Sequence, residues 1–228
     1  MTNTHLTRCW LRSYCINQPP IIDGATTHLM EKTMSQAIHT KNDQSISQGH
    51  FVNGVNLDTL METVKAIQAD PELGASRFRA TNTWLSGNHN RSTVTGFYGA
   101  KQEISHKQKF EMDADEPAIL AGNDRSANPV EHLLHALASC VTTSMVAHAA
   151  VRGIPIYALE SEVEGDIDLQ GFLGLSNDVP RGYTDLRVKF RVDAEPKDID
   201  RLKELSEFSP VFNTIAHGAC VDIQIEQK

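Results

Sequence analysis

Residues 128 to 153, NPVEHLLHALASCVTTSMVAHAAVRG, constrain the fold more than any other stretch, because both ends of a helix and its apolar stripe are written in them. Asn128 is a favoured N-cap, Pro129 suits the first helical position, where no amide partner is needed, and Glu131 stands where its carboxylate can fold back on the cap. Gly153 suits the left-handed residue that closes a helix, and Pro155 forbids continuation. The spacing predicts a helix of roughly six turns, about 35 Å long. Val130, Leu133, Leu134, Leu137, Val141 and Met145 fall on one stripe, while Ala136, Ala138, Ala147, Ala149 and Ala150 keep much of the remaining surface small. Such a helix is expected to be buried on more than one side. Cys140 lies in its middle, too far from the N-terminus for the unpaired amides there to stabilise a thiolate. Any activation has to come from side chains on other segments. From the helix alone, Cys140 reads first as a small buried core residue.

Composition narrows the class. A chain of 228 residues is long enough to bury a core, and a formal charge of −8 argues against binding nucleic acid through its phosphates. Uncharged or oily small molecules fit better. The four cysteines, Cys9, Cys15, Cys140 and Cys220, are scattered and include no CxxC pair, so neither a disulfide framework nor a zinc site is expected, and a reducing cytoplasm is the natural home. The hydroxyls and histidines of the long helix argue against a membrane span. His132 and His135 beside Glu131 lack the HExxH spacing and have no third donor, so no metal is expected, and no motif calls for another cofactor.

Taken in order, residues 1 to 50 are polar without a sustained period and read as a disordered tail, with Met34 a candidate start; residues 51 to 228 read as a single domain. Leu57, Leu60, Met61, Val64 and Ile67 make an amphipathic helix at about 56 to 69, closed by Pro71 and Gly74. Strands are expected at 77 to 85, 92 to 98 and 109 to 112. Beyond the long helix, residues 159 to 169 alternate strictly, with Glu160, Glu162, Glu164, Asp166 and Asp168 on one face; residues 183 to 192 alternate with Asp185, Arg187, Lys189 and Arg191 outward. Antiparallel pairing would set opposite charges across a solvated face. Residues 196 to 208 read as a helix with Ile199, Leu202, Leu205 and Phe208 inward. Ser209 caps a short helix from Pro210 to Gly218, and Val221, Ile223 and Ile225 mark a last strand. This order lacks the regular β-α alternation of a nucleotide-binding sheet and gives an α+β architecture.

The run NPVEHLLHALASC resembles the central-helix motif of the OsmC/Ohr family, the osmotically inducible protein C and organic hydroperoxide resistance proteins. SPVFNTIAHGACVDIQIE resembles the family's last helix and strand, and the likeness spans residues 77 to 228. The resemblance implies an OsmC-like fold: an antiparallel sheet packed on a long central helix, in an intertwined homodimer whose sites draw on both subunits. It also implies a cysteine-based peroxidase that reduces organic or fatty-acid hydroperoxides, with an external dithiol as reductant. Cys140 takes the place of the peroxide-reactive thiol. The family's carboxylate directly follows Asn-Pro, where this chain has Val130; the nearest acid is Glu131, about 100° further around the helix. Its arginine lies in the first hairpin, where Arg91 is the nearest candidate. Its second, resolving cysteine precedes Pro-Val, a place held here by Ser209, and Cys220 stands eleven positions later. A non-catalytic or ligand-binding member that has lost peroxidase chemistry is the competing class.

Overall fold

The computed structural model describes residues 49–227, so the expected tail, with Cys9, Cys15 and Met34, lies outside the described residues apart from its last two positions. Gly49–Thr214 make one compact unit, and residues 215–227 are described separately.

The unit opens with a small hairpin of β1 (Phe51–Val52) and β2 (Val55–Asn56). Strands of two residues leave no visible alternation, and the sequence reading passes over them. Helix α1 (Leu57–Ala69) follows as expected, with the Asn56 side chain accepting the Thr59 N–H at 3.1 Å, and a short 3-10 turn (Pro71–Gly74) closes it.

Strands β3 (Arg77–Phe78), β4 (Thr81–Ser86), β5 (His89–Gly99) and β6 (Gln102–Ala114) form an antiparallel sheet. β5 pairs with β3 and β4 along one edge and with β6 along the other. Three expectations are corrected here. The strand foreseen at 77 to 85 is interrupted at Arg79 and Ala80, the second strand starts earlier, and the third is 13 residues long. The β5–β6 turn explains the last miss: its residues, Ala100 and Lys101, sit at positive φ of 48° and 62°. Neither is the Gly or Asn that normally marks such a turn. Register divides the sheet into two faces: Arg91, Asp113, Thr93 and Glu111 share one, and Trp84, Met112, Val94 and Phe110 share the other.

The long helix, α2 (Pro129–Val151), has the ends foreseen for it. Asn128 Oδ1 accepts the Glu131 N–H at 2.9 Å while Glu131 Oε2 accepts the Asn128 N–H at 2.8 Å. At the other end Gly153 takes φ 66°, and its N–H and that of Ile154 close on the carbonyls of Ala150 and Ala149. Burial differs from expectation. Leu137, Val141, Met145, Ala149, Ala150 and Val151 are buried, whereas Leu133 is 39% exposed and Glu131, His135, Ser139 and Thr143 face outward. Composition makes several sides of this helix apolar enough to bury, but among the described residues it is mainly β7 and α4, described next, that pack against it, with smaller contacts from β1 and β2.

β7 (Ala158–Asp166) and β8 (Asp185–Asp193) pair antiparallel, setting Glu160, Glu162 and Glu164 opposite Arg191, Lys189 and Arg187 as the charge pattern predicts. Arg187 reaches Glu164 at 2.7 Å and Asp166 at 2.5 Å. β7 ends at Asp166, short of the expected 169, because Asp168 turns to cap the one-turn helix α3 (Leu169–Phe172) with a hydrogen bond from the Gln170 N–H. After a 3-10 turn (Pro196–Asp198) come α4 (Ile199–Ser206) and α5 (Pro210–His217). Leu202 and Leu205 join Met145 and Ala149 as the core, flanked by Leu159, Phe190 and Val192 from the β7–β8 pair. Ile199, expected inward, is 41% exposed.

Phe208 stacks on His148 of α2, ring centroids 4.4 Å apart. Burial pushes the His148 imidazole below its ordinary pKa, and neighbouring Arg152 adds to the effect. The unfolded chain then takes up this proton first on acidification. The stability is therefore fully present above the ordinary histidine value and is lost as pH falls through the folded one. Denaturant midpoints between about pH 7.5 and 5.5 should fall more steeply for the native chain than for His148→Phe. Equal slopes would mean that His148 does not titrate differently on folding.

Residues 218–227 carry no strand. Val221, Ile223 and Ile225 are 82%, 79% and 92% exposed. The expected last strand is thus not formed: alternation assigns a segment's faces, but a strand exists only where a neighbouring backbone supplies its ladder.

Candidate functional site

Cys140 is a free, half-buried thiol on α2, one residue before buried Val141 and one after exposed Ser139. The hydroxyls near it are turned to the helix backbone, Ser139 Oγ donating to His135 O and Thr143 Oγ1 to Ser139 O, each at 2.8 Å. Among the described residues no hydrogen bond or ion pair reaches Cys140.

Arg91 is engaged elsewhere. Its Nε and Nη2 donate to the two carboxylate oxygens of Asp113 at 2.6 and 2.9 Å across the β5–β6 pair, and His89 Nε2 lies 3.0 Å from Asp113 Oδ2. Arg91 and then His89 hold the Asp113 carboxyl well below the usual carboxylate range. The Asp113 carbonyl accepts from His132 Nε2 at 2.9 Å, which fixes that proton on Nε2 and ties the end of β6 to the first turn of α2. Arg91 is therefore linked to the N-terminal turn of the helix. His132 precedes Cys140 by eight residues, about 12 Å along the axis.

Glu131 serves the helix cap described above. Val130, which directly follows Asn-Pro, offers its backbone carbonyl to the Tyr183 hydroxyl at 3.1 Å. Gly165 leaves room for that tyrosine: a Cβ there would come within 2.7 Å of its ring. Asp115, 1% exposed, completes the frame. Burial works to raise its pKa, but the N–H groups of Glu116, Arg125 and Asn123 outweigh it and the net direction is down. The loop they close brings Gly122 so near Glu116 that a Cβ would stand 1.7 Å from its carbonyl oxygen. It delivers the chain to Asn128.

Ser209, just before Pro210-Val211, is fully buried and its Oγ accepts the Phe212 N–H at 3.1 Å, so it caps α5 as the sequence predicts. Cys220, in the separate segment, is disulfide-bonded, but not to Cys140, which is free. Among the described residues, no three His, Cys, Asp or Glu side chains gather to hold a metal. A cleft of about 230 Å³ on the large sheet is lined by Arg79, Thr81, Thr93, Thr95, Glu103 and Ser105, and by none of the residues singled out from the sequence. The structure thus joins Arg91 to His132, and Tyr183 to Val130, around the start of α2, and leaves Cys140 further along. His89, Asp113, Asp115 and Tyr183 were missed. Asp113 alone left a trace, alternating with Lys109 and Glu111 on one face of a strand.

Residues 122–224 match the family described as OsmC-like protein. No curated protein matches the chain. Among solved structures, an OsmC-like protein from Mycoplasma pneumoniae is 17% identical with a TM-score of 0.47, the match covering 62% of this chain and 88% of that one. An organic hydroperoxide resistance protein OsmC from Legionella pneumophila is 12% identical, TM-score 0.42, over 62% and 91%. An OsmC-like protein of unknown function from Vibrio cholerae is 13% identical, TM-score 0.41, over 63% and 96%.

Proposed function

We propose, from the premise that residues 122–224 are an OsmC-like domain, that this protein is a thiol-dependent peroxidase reducing organic or fatty-acid hydroperoxides through Cys140. The observation that carries this reading is a free, half-buried thiol in mid-helix, behind the Asn-Pro cap, at the place of the family's reactive cysteine. The Cys140 thiolate attacks one oxygen of the hydroperoxide, the O–O bond breaks, and the alcohol leaves with a proton, giving a sulfenic acid. With serine at the resolving position, an external dithiol completes the cycle. Its first sulfur displaces water from the sulfenic acid, and its second releases the Cys140 thiol as the external disulfide closes.

The working form in this reading is a homodimer. Trp84, Phe110 and Met112 stand 70%, 45% and 43% exposed on one face of the large sheet, and Phe78, 75% exposed, stacks on Phe97 at 5.0 Å. Apolar surface of this kind beside a half-covered α2 is what a second copy would bury, and it would also bring the groups that Cys140 lacks within one chain. Light scattering that returns a monomer mass at micromolar concentration would defeat this part.

One observation favours a second reading, a ligand-binding protein without peroxidase chemistry. Arg91 is held by Asp113, and among the described residues no hydrogen bond or ion pair reaches Cys140. Trapping separates the two: after one equivalent of an organic hydroperoxide, dimedone should label Cys140. An unlabelled Cys140 with the hydroperoxide unconsumed would establish the second reading instead.

A further inference from the structure

Asn53 and Gly54 form the turn of the β1–β2 hairpin at φ 51° and 75°. Asn-Gly suits such a turn, because asparagine tolerates left-handed backbone and glycine meets no penalty there. The Asn53 side chain has a further engagement. Nδ2 donates to the Ile154 carbonyl and Oδ1 accepts the Ile156 N–H, both at 2.9 Å, so one amide pairs with the connection from α2 to β7 more than a hundred residues along the chain. The far end of α1 is held independently, by Lys101 reaching Asp70 at 2.6 Å and Glu72 at 2.9 Å. Between these anchors only Leu57 of α1 is buried.

Asn53-Gly54 is also the one Asn-Gly pair in the sequence. Among the described residues, its chain neighbours apart, nothing stands within 4 Å of where a Gly54 Cβ would lie, so that side of the turn is open. We propose that Asn53 is a deamidation site, and that its conversion to aspartate or isoaspartate unlatches the segment carrying β1, β2 and α1 from the α2–β7 connection.

The step needs only base and water. The Gly54 nitrogen, deprotonated, attacks Asn53 Cγ; a C–N bond closes a five-membered succinimide, and the Cγ–Nδ2 bond breaks with loss of ammonia. Water opens the ring at Cγ to give aspartate, or at the main-chain carbonyl to give isoaspartate. In the aspartate product an anionic oxygen replaces the N–H that faced the Ile154 carbonyl, so a hydrogen bond becomes the approach of two acceptors. In the isoaspartate product the backbone gains a methylene and the side chain no longer reaches both partners. The bonds to Ile154 and Ile156 hold the amide in place while the latch is shut, so the reaction proceeds through its open state.

The test follows the full-length protein at mildly alkaline pH by peptide mass spectrometry and hydrogen exchange. The peptide carrying Asn53 should gain one mass unit before any other asparagine peptide. Residues 57–69 should exchange about tenfold faster in the aged protein and in Asn53→Asp than in fresh wild type. Should Asn53→Asp fail to fold, the aged wild type supplies the same comparison. Deamidation first at another asparagine, or wild-type exchange of residues 57–69 once Asn53 is converted, would overturn the proposal.

Discussion

Replacing Cys140 by serine should reduce dithiol-dependent turnover of an organic hydroperoxide to background, a loss of about a thousandfold or more. The size follows from the chemistry. Serine is nearly isosteric with cysteine, but its hydroxyl stays protonated at neutral pH and has no accessible sulfenic-acid equivalent, so the O–O bond meets no nucleophile. Because the Cys140 side chain makes no hydrogen bond or ion pair among the described residues, the exchange leaves no partner unsatisfied. Near-ultraviolet circular dichroism should be unchanged, which separates lost chemistry from lost fold. Near-wild-type turnover in Cys140→Ser would remove Cys140 from the reaction altogether. Full activity in Cys220→Ser would fit the one-cysteine cycle, since Cys220 is disulfide-bonded and not to Cys140.

Leu205→Ala should be the most damaging single truncation in the core, lowering stability by about 3–4 kcal/mol. Leu205 is wholly buried and belongs to the cluster with Met145, Ala149 and Leu202, under Phe190 and Val192 of β8. These neighbours come from α2, α4 and the β7–β8 pair, so no one element can move in to fill the space without pulling on the others. The truncation therefore removes transfer energy and leaves a cavity as well. Thermal unfolding should shift down by roughly 10 °C for a chain of this size. Lys203→Ala, on the exposed side of the same helix, should stay within about 0.5 kcal/mol of wild type. Similar losses from the two would mean that α4 contributes helix propensity and no packing.

Particular residues show why some of this was legible in advance. The ends of α2 were, because a capping box and a Gly-Pro stop act over a few neighbouring residues and need nothing from the rest of the chain. The pairing of β7 with β8 was too, since opposite charges alternate along two adjacent segments with few other ways to meet. The β5–β6 turn was not, because Ala100 and Lys101 adopt left-handed backbone that their side chains do not favour, and the two flanking strands compel it. Within the candidate site, Cys140 and Arg91 were identifiable by type and place, but the carboxylate that engages Arg91 was not. Asp113 lies on the opposite strand, 22 residues away, and only the register of β5 on β6 sets it against the guanidinium.

By itself, then, the sequence determined what short-range chemistry can determine: where α1 and α2 begin and end, which faces of β7 and β8 meet water, and that an Asn-Pro-capped helix carries a cysteine at its centre. Tertiary structure alone decided how those parts are used. It covered α2 along the Leu137–Val141–Met145–Ala149 stripe and at its last turn, drew Arg91 to Asp113 and Asp113 to His132, and left Val221, Ile223 and Ile225 without a ladder. The physical reason is common to all three. Burial, ion pairing and strand formation each require a partner surface, and periodicity specifies the face a segment offers without specifying what will come to lie against it.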